Sequence, residues 1–350
     1  MADLTSDIGN EAIRAGPVEF GPEVGFAVWP FFQDYDGFEA TLADMGQLAD
    51  GRPVMARVQL SWADWARPGE GSRWLDYLIN RLHDAGIEIF PTFMWTPPSF
   101  GMAPRSSAPP RDPGTFAWFV DHVLKRYGPL ISPYVQFWNE ANGYCYWDRG
   151  LDPDFKLFAK MHIWAARVAR EDHGRQTVLA GVIPTGGPEW IDLMGRYGVL
   201  EHSDVIAFHG FPGTWLPRRI GWAHLLERVN RVQRRHGKSC PIWICEASYS
   251  TMRRDDRRSL EHEYRQLGMF RKLLRLPVER VFWHTLRDLP ASRRSAVHAH
   301  LGSYDPREHG CGLRYGDGRP KMLWNAWIAH GLTGIRRGDH AETPLRELIA

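Results

Sequence analysis

Eight short apolar runs, most of them followed by an amphipathic helical stretch, limit what this chain can fold into more than any other feature of its sequence. They run from Val24 to Trp29, Val54 to Leu60, Ile87 to Phe93, Tyr134 to Trp138, Val178 to Ile183, Val205 to His209, Ile242 to Cys245 and Val281 to His284. Most are apolar at successive positions, as strands of a parallel sheet covered on both faces must be. Between them lie helical stripes: Leu75, Leu78, Ile79 and Leu82; Phe116, Phe119, Val120, Val123 and Tyr127; Trp222, Leu225, Leu226, Val229 and Val232. Alternating β and α units predict either an open doubly wound sheet or a closed barrel. No glycine-rich phosphate turn follows the first run, and eight units suit closure, so the expected fold is a (β/α)8 TIM barrel. We expect one domain over 1–350, with its core at about 24–331 and short arms at either end.

Charge and cysteine content remove several classes of function. A formal net charge of +2 predicts no nucleic-acid partner. The first residues carry neither a basic stretch nor an apolar one, and no later apolar run reaches about 18 residues. The expectation is therefore no membrane partner and a cytoplasmic location. Cys145, Cys240, Cys245 and Cys311 lack metal-ligand or disulfide-scaffold spacing and read as reduced thiols. Oligomeric state is left open. The run Arg253, Arg254, Arg257, Arg258, broken by Asp255 and Asp256, reads as a solvated loop.

Where strands end, polar residues gather. Glu140 follows Phe137, Trp138 and Asn139 at the end of the fourth run, and Glu246 follows Ile242 to Cys245 at the end of the seventh. In a barrel both ends open on the C-terminal face, where active sites are built. The stretch from Thr96 to Gly114, with six prolines, and that from Leu286 to Cys311 are long loops on the same face. Two carboxyl groups are what cleavage of a glycosidic bond requires, one protonating the leaving oxygen and the other attacking the anomeric carbon or activating water. Of the sixteen tryptophans, Trp62, Trp65, Trp95, Trp147 and Trp215 fall in the expected rim loops, and an aromatic face suits the C–H surface of a sugar.

These motifs resemble the clan of retaining (β/α)8 glycosidases, in which an acid/base follows an Asn at strand four and a nucleophile ends strand seven. Asn139–Glu140 and Glu246 match those positions. Arg57 and Trp62 resemble the strand-two Arg and following Trp of the β-glucosidase-like family, and Gly86 to Phe93 resembles its third strand. The stretch Val281 to His284 is similar to the clan's eighth strand, and Gly312 to Tyr315 followed by Asp317 to Lys321 is similar to a frequent closing motif. A xylosidase-like family, number thirty-nine, fits equally well. The resemblance implies a carbohydrate substrate, no cofactor and a covalent glycosyl-enzyme. Glu140 would be the acid/base, its pKa raised by apolar flanks such as Trp138 and by the charge of Glu246. Glu246 would be the ionised nucleophile beside Arg57, and Asn139 would bind the sugar 2-hydroxyl. Trp95 and Trp283 are the expected sugar platforms. Many clan members carry a Tyr late in strand six that bonds the nucleophile, whereas this chain has Phe208-His209-Gly210, so His209 or Tyr249 is expected to take that part.

Three rival readings use the same features. His209, His284, His298 and His300 admit a metal-dependent barrel hydrolase. A non-catalytic carbohydrate-binding barrel would ordinarily have lost one carboxylate, and a transglycosidase would keep both.

Overall fold

The computed structural model describes residues 21–49, 51–185, 187–217, 220–253, 259–294 and 304–339. Eight parallel strands close into a barrel in chain order: β1 Glu23–Val28, β2 Val54–Ser61, β3 Ile87–Met94, β4 Tyr134–Phe137, β5 Gln176–Val182, β6 Val205–Gly210, β7 Ile242–Ala247 and β8 Arg280–Trp283, which pairs back to β1. The closed (β/α)8 barrel expected from the eight runs is the fold observed. Helices α1 Tyr35–Ala49, α2 Trp62–Trp65, α3 Gly71–Asp84, α4 Pro113–Tyr127, α5 Lys156–Arg167, α6 Gly187–Arg196, α7 Trp222–Arg235, α8 Leu260–Leu273 and α9 Met322–Arg337 cover the outside. All three apolar stripes read from the sequence, on α3, α4 and α7, are buried. Residues 1–20, 254–258 and 340–350, with His298 and His300, lie outside the described residues. Among the described residues no helix is long and apolar enough to cross a membrane.

Strand alternation decides what fills the barrel. Met55, Phe90, Val178, Ala207, Trp243, Cys245 and Phe282 form one buried cluster inside it, while their odd-numbered or even-numbered neighbours face the helices. The Trp243 ring meets Phe90 and Phe282, and its indole N–H donates to Glu279 at 3.1 Å, sealing the N-terminal end. The opposite end is left to polar side chains. Two of the five tryptophans expected at the rim are packing residues instead: Trp62 stacks on Phe119, and Trp147 meets Phe158 edge-on, both fully buried. Trp215 stays 37% exposed.

One irregularity aims the site. Along β7, Phe208 pairs with Ile244 but His209 pairs with Glu246, and Ile244 and Ala247 face β8 residues only two apart, Val281 and Trp283. The strand thus carries one extra residue relative to both neighbours, a bulge at Cys245–Glu246. Without it, strict alternation after the inward Cys245 would turn Glu246 to the helices. With it, Glu246 also faces the barrel axis.

The closing segment is tied by a buried charge. Lys321, fully buried, donates to Asp288 at 2.6 Å, to Thr251 Oγ1 at 2.8 Å and to the Gly310 carbonyl at 3.2 Å. Removing one partner of such a pair strands the other without water. Lys321→Met is expected to lower stability by about 3 to 5 kcal/mol in urea unfolding; a loss under about 1 kcal/mol would contradict the lock.

Candidate active site

Arg57 stands inward on β2, two residues above Met55, and is 1% exposed. A guanidinium there must be satisfied by protein groups, and three side chains from β4 and β7 supply them. Its Nε donates to Gln136 at 3.0 Å, Nη1 to Glu246 Oε1 at 2.7 Å, and Nη2 to Asn139 Oδ1 at 2.6 Å. The Trp29 ring lies 5.2 Å from its charged carbon. Gln136 in turn donates to the Trp138 carbonyl at 2.8 Å. Glu246 is thus ion-paired on one oxygen, while the other lies 3.7 Å from His209 Nδ1 and 4.0 Å from His284 Nδ1.

The end of β4 is held in a costly backbone. Trp138 and Glu140 have φ of 71° and 42°, and Trp95 at the end of β3 has 69°. Side chains with a Cβ occupy this left-handed region at a cost of about 1–2 kcal/mol each. Packing over-determines them. The Trp138 indole donates to the Tyr146 carbonyl at 2.7 Å and meets Trp147 edge-on, and its backbone N–H bonds the Phe93 carbonyl at 2.7 Å. The result presents Glu140 to the cleft with 16% of its side chain open.

Glu140 Oε1 lies 2.8 Å from His209 Nδ1. Burial pushes the Glu140 carboxyl up to about 7, against the opposing pull of Arg57 and His284. The expected contribution of Glu246 charge to this rise is not found; Arg57 already neutralises that carboxylate, and desolvation carries the shift. His209 is fully buried, which depresses it to about 3 and keeps the imidazole neutral. Oxygens of Glu140 and Glu246 and the His209 nitrogen all lie within 4.8 Å of one another, a set that has the donor types for a metal ion as well as for proton transfer.

The other expected residues divide. Asn139 is fully buried, with Oδ1 on Arg57 and Nδ2 unpartnered. Trp95 borders the barrel mouth, its indole N–H donating to Gln59 at 2.9 Å and its ring tilted against Tyr146. Tyr249 lies three residues beyond Glu246, edge-on to His262, and lines a neighbouring cavity. His209, and not a tyrosine, is the group from β6 between the carboxylates. Trp283 is corrected: it is 1% exposed and packs edge-on against Phe270 of α8, because Phe282 takes the inward position of β8 and alternation turns the next residue out. His284, one residue later, is what β8 presents to Glu246.

Gln136, Tyr146 and Glu308 complete the surroundings. Gln136 has a visible signal, a lone amide in the apolar run Tyr134 to Trp138. Tyr146 is pushed well up, chiefly by burial and then by Glu140 and Glu246. Glu308, on a 3-10 turn Pro306–Gly310, is pushed up to about 7 by burial and by Asp305, with Glu140 adding to the rise. Nothing local in the sequence marks either one, since both arrive from loops.

His209 is seated by an absence of side chain opposite it. A Cβ at Gly181 on β5 would fall 2.0 Å from His209 Nε2. Gly181→Ala is therefore expected to displace the imidazole from Glu140 and to cost about 1–3 kcal/mol in thermal unfolding. A crystal structure of the variant with the ring unmoved would refute this.

No family model matches this sequence, and no curated protein matches it. Solved structures do. The chain is similar to a family 39 glycoside hydrolase from the gut symbiont Bacteroides cellulosilyticus WH2, with 16% identity and a TM-score of 0.63 over 89% of this chain and 64% of that one. It is similar to a glucosidase from Croceicoccus marinus, with 12% identity and a TM-score of 0.63 over 91% and 68%. It is also similar to an active-site mutant of a β-1,3-glucanosyltransferase from Rhizomucor miehei in complex with laminaritriose, with 10% identity and a TM-score of 0.52 over 85% and 95%. This chain spans less than two thirds of the length of the family 39 enzyme. At these identities the shared feature is the barrel fold, and glycoside-processing enzymes are what it is shared with.

Proposed function

We propose that this chain is a retaining β-glycoside hydrolase, with Glu246 as nucleophile and Glu140 as general acid and base. The observation that carries the reading is the short separation of the two carboxylates, whose nearest oxygens fall within 4.8 Å. Retaining enzymes hold their carboxyl groups about 5–5.5 Å apart, whereas inverting ones leave about 6.5–9.5 Å for a water. The roles follow from the two environments. Glu246 is paired with a buried cation at 2.7 Å, which suits a carboxylate that must attack as an anion. Glu140 is desolvated and titrates near 7, which suits a group that must hold a proton and give it up.

The steps balance simply. Glu246 attacks the anomeric carbon as Glu140 protonates the departing oxygen, leaving a glycosyl ester and an ionised Glu140. Water then loses its proton to Glu140 and displaces the ester. Asn139 Nδ2, unpartnered and next to Glu140, is placed to donate to a sugar hydroxyl, and Arg57 fixes its orientation by occupying Oδ1. Glucanosyl transfer would use the same first step with a sugar in place of water.

Metal-dependent hydrolysis is the second reading, favoured by the Glu140, His209 and Glu246 donor set. Arg57 opposes it, because its guanidinium already holds Glu246 Oε1. Activity on aryl β-glycosides should survive exhaustive chelation, and its loss with recovery on added zinc would favour the metal.

Two measurements test the roles. Since Glu140 acts protonated, kcat/KM on aryl β-glycosides should be fully present below its folded value and fall as pH rises through about 7. An alkaline limb near 9 or higher would rule out Glu140 as the acid. Glu140→Ala should slow substrates with poor leaving groups by about 10²–10⁴-fold while still forming the glycosyl-enzyme from dinitrophenyl glycosides. Azide should rescue it to a β-glycosyl azide, whereas azide should rescue Glu246→Ala to the α anomer. The opposite anomers would exchange the roles, and full activity in both variants would end the reading.

A further inference from the structure

At the end of β8 the chain presents an imidazole where resemblance implies a flat indole face. Trp283 turns outward against Phe270 and is fully buried, so no indole reaches the barrel mouth from this strand. His284 reaches it instead, with 27% of its side chain open. The exchange is one of chemistry: an indole face suits the C–H surface of a sugar, whereas an imidazole nitrogen donates to or accepts from a hydroxyl.

Backbone and ring contacts hold His284 beside Glu246. Its backbone N–H donates at 3.0 Å to the carbonyl of Ala247, the residue next to Glu246, so the two positions are fixed together. Phe211, just beyond β6, lies edge-on to the imidazole at 6.1 Å. The imidazole Nδ1 is buried and hydrogen-bonds no group among the described residues. Glu246 Oε2 stands 4.0 Å from it. That oxygen is the less occupied one: Oε1 is taken by Arg57 at 2.7 Å, and His209 Nδ1, 3.7 Å from Oε2, is engaged by Glu140 at 2.8 Å. A gap of 4.0 Å is too long for a hydrogen bond, yet it lets one hydroxyl between the two atoms touch both. A hydroxyl suits both ends, because it donates to a carboxylate, which only accepts, while accepting from a ring N–H.

We infer that His284 is a substrate-contacting residue: one hydroxyl of the sugar unit attacked by Glu246 bridges His284 Nδ1 and Glu246 Oε2. This role rests on the glycosidase reading and deepens it. It makes recognition of the cleaved unit depend on one hydroxyl more than on the apolar face of the ring. A sugar that lacks this hydroxyl leaves two buried polar atoms without a partner, which discriminates more strongly than a lost apolar contact does.

The test is kcat/KM of the full chain on a 4-nitrophenyl β-glycoside and on its monodeoxy analogues, the parent being whichever of the glucoside, galactoside and xyloside the wild type cleaves fastest. Wild type, His284→Phe and His284→Ala are compared, with thermal melting verifying that each variant is folded. Deleting a hydroxyl alters the intrinsic reactivity of the glycoside equally for all three proteins, so the ratio of wild type to variant isolates the contact. At one position the penalty for the missing hydroxyl should be about tenfold or more larger in wild type than in His284→Phe, and at the others the two penalties should agree within about twofold. The exceptional position identifies the bridging hydroxyl. Should His284→Phe not fold, His284→Ala carries the same comparison. A histidine with only a structural part would slow all substrates by one common factor, and that result would overturn the role while leaving the glycosidase reading intact. Loss of the fold in both variants would also overturn it, by showing that the imidazole supports the barrel. No cleavage of any parent glycoside by the wild type would remove the glycosidase reading, and this role with it.

Discussion

A buried guanidinium organises the mouth of this barrel. Arg57 is 1% exposed, and an unpaired cation there would cost several kcal/mol, so its partners are obligatory. They come from separate strand ends: Gln136 and Asn139 from β4 and Glu246 from β7. Satisfying one charge therefore fixes the distance between β2, β4 and β7 at the level where the carboxylates emerge. The same bonds steady the left-handed backbone at Trp138 and Glu140, because Gln136 grips the Trp138 carbonyl and Arg57 grips the Asn139 side chain between them. Strain of a few kcal/mol persists where surrounding contacts outnumber it.

Asymmetry between the two carboxylates is a second consequence. Both are largely removed from water, but Glu246 receives a cation and Glu140 receives a neutral imidazole. Had His209 been open to solvent, it would have been free to carry charge near neutral pH and to hold Glu140 ionised. Its complete burial against Gly181 prevents this and lets desolvation dominate the Glu140 titration. The difference in surroundings between the two carboxyl groups is thus set by where one arginine and one glycine stand.

Aromatic residues serve the scaffold more than the surface. Trp62, Trp138, Trp147, Trp243 and Trp283 are all fully buried, sealing the barrel floor or joining it to the helices. Trp215 is held open on a loop by Asp305 and Arg307, and it borders a cavity lined also by Tyr249 and Met252. Abundance of tryptophan alone therefore says little about sugar binding, and exposure with a fixed indole says more.

The chain's local pattern determined the barrel and the neighbourhood of the site. Apolar runs and helical stripes depend on near neighbours, so the eight strands, the stripes on α3, α4 and α7, and the strand-end positions of Glu140 and Glu246 were all legible. So was the pairing of Arg57 with Glu246, through resemblance to a known arrangement of motifs. What tertiary structure alone decided was phase and long-range encounter. An extra residue in β7 turns Glu246 inward against the alternation its own strand would give, while the unbulged end of β8 sends Trp283 outward and leaves His284 to face the site. Gly181 meeting His209, and Glu308 and Tyr146 arriving beside Glu140, depend on loops whose paths follow from packing across the whole barrel. A strand's period is written in consecutive residues, but a bulge or a loop's landing point is fixed by partners far away in the chain, and no local stretch of sequence contains them.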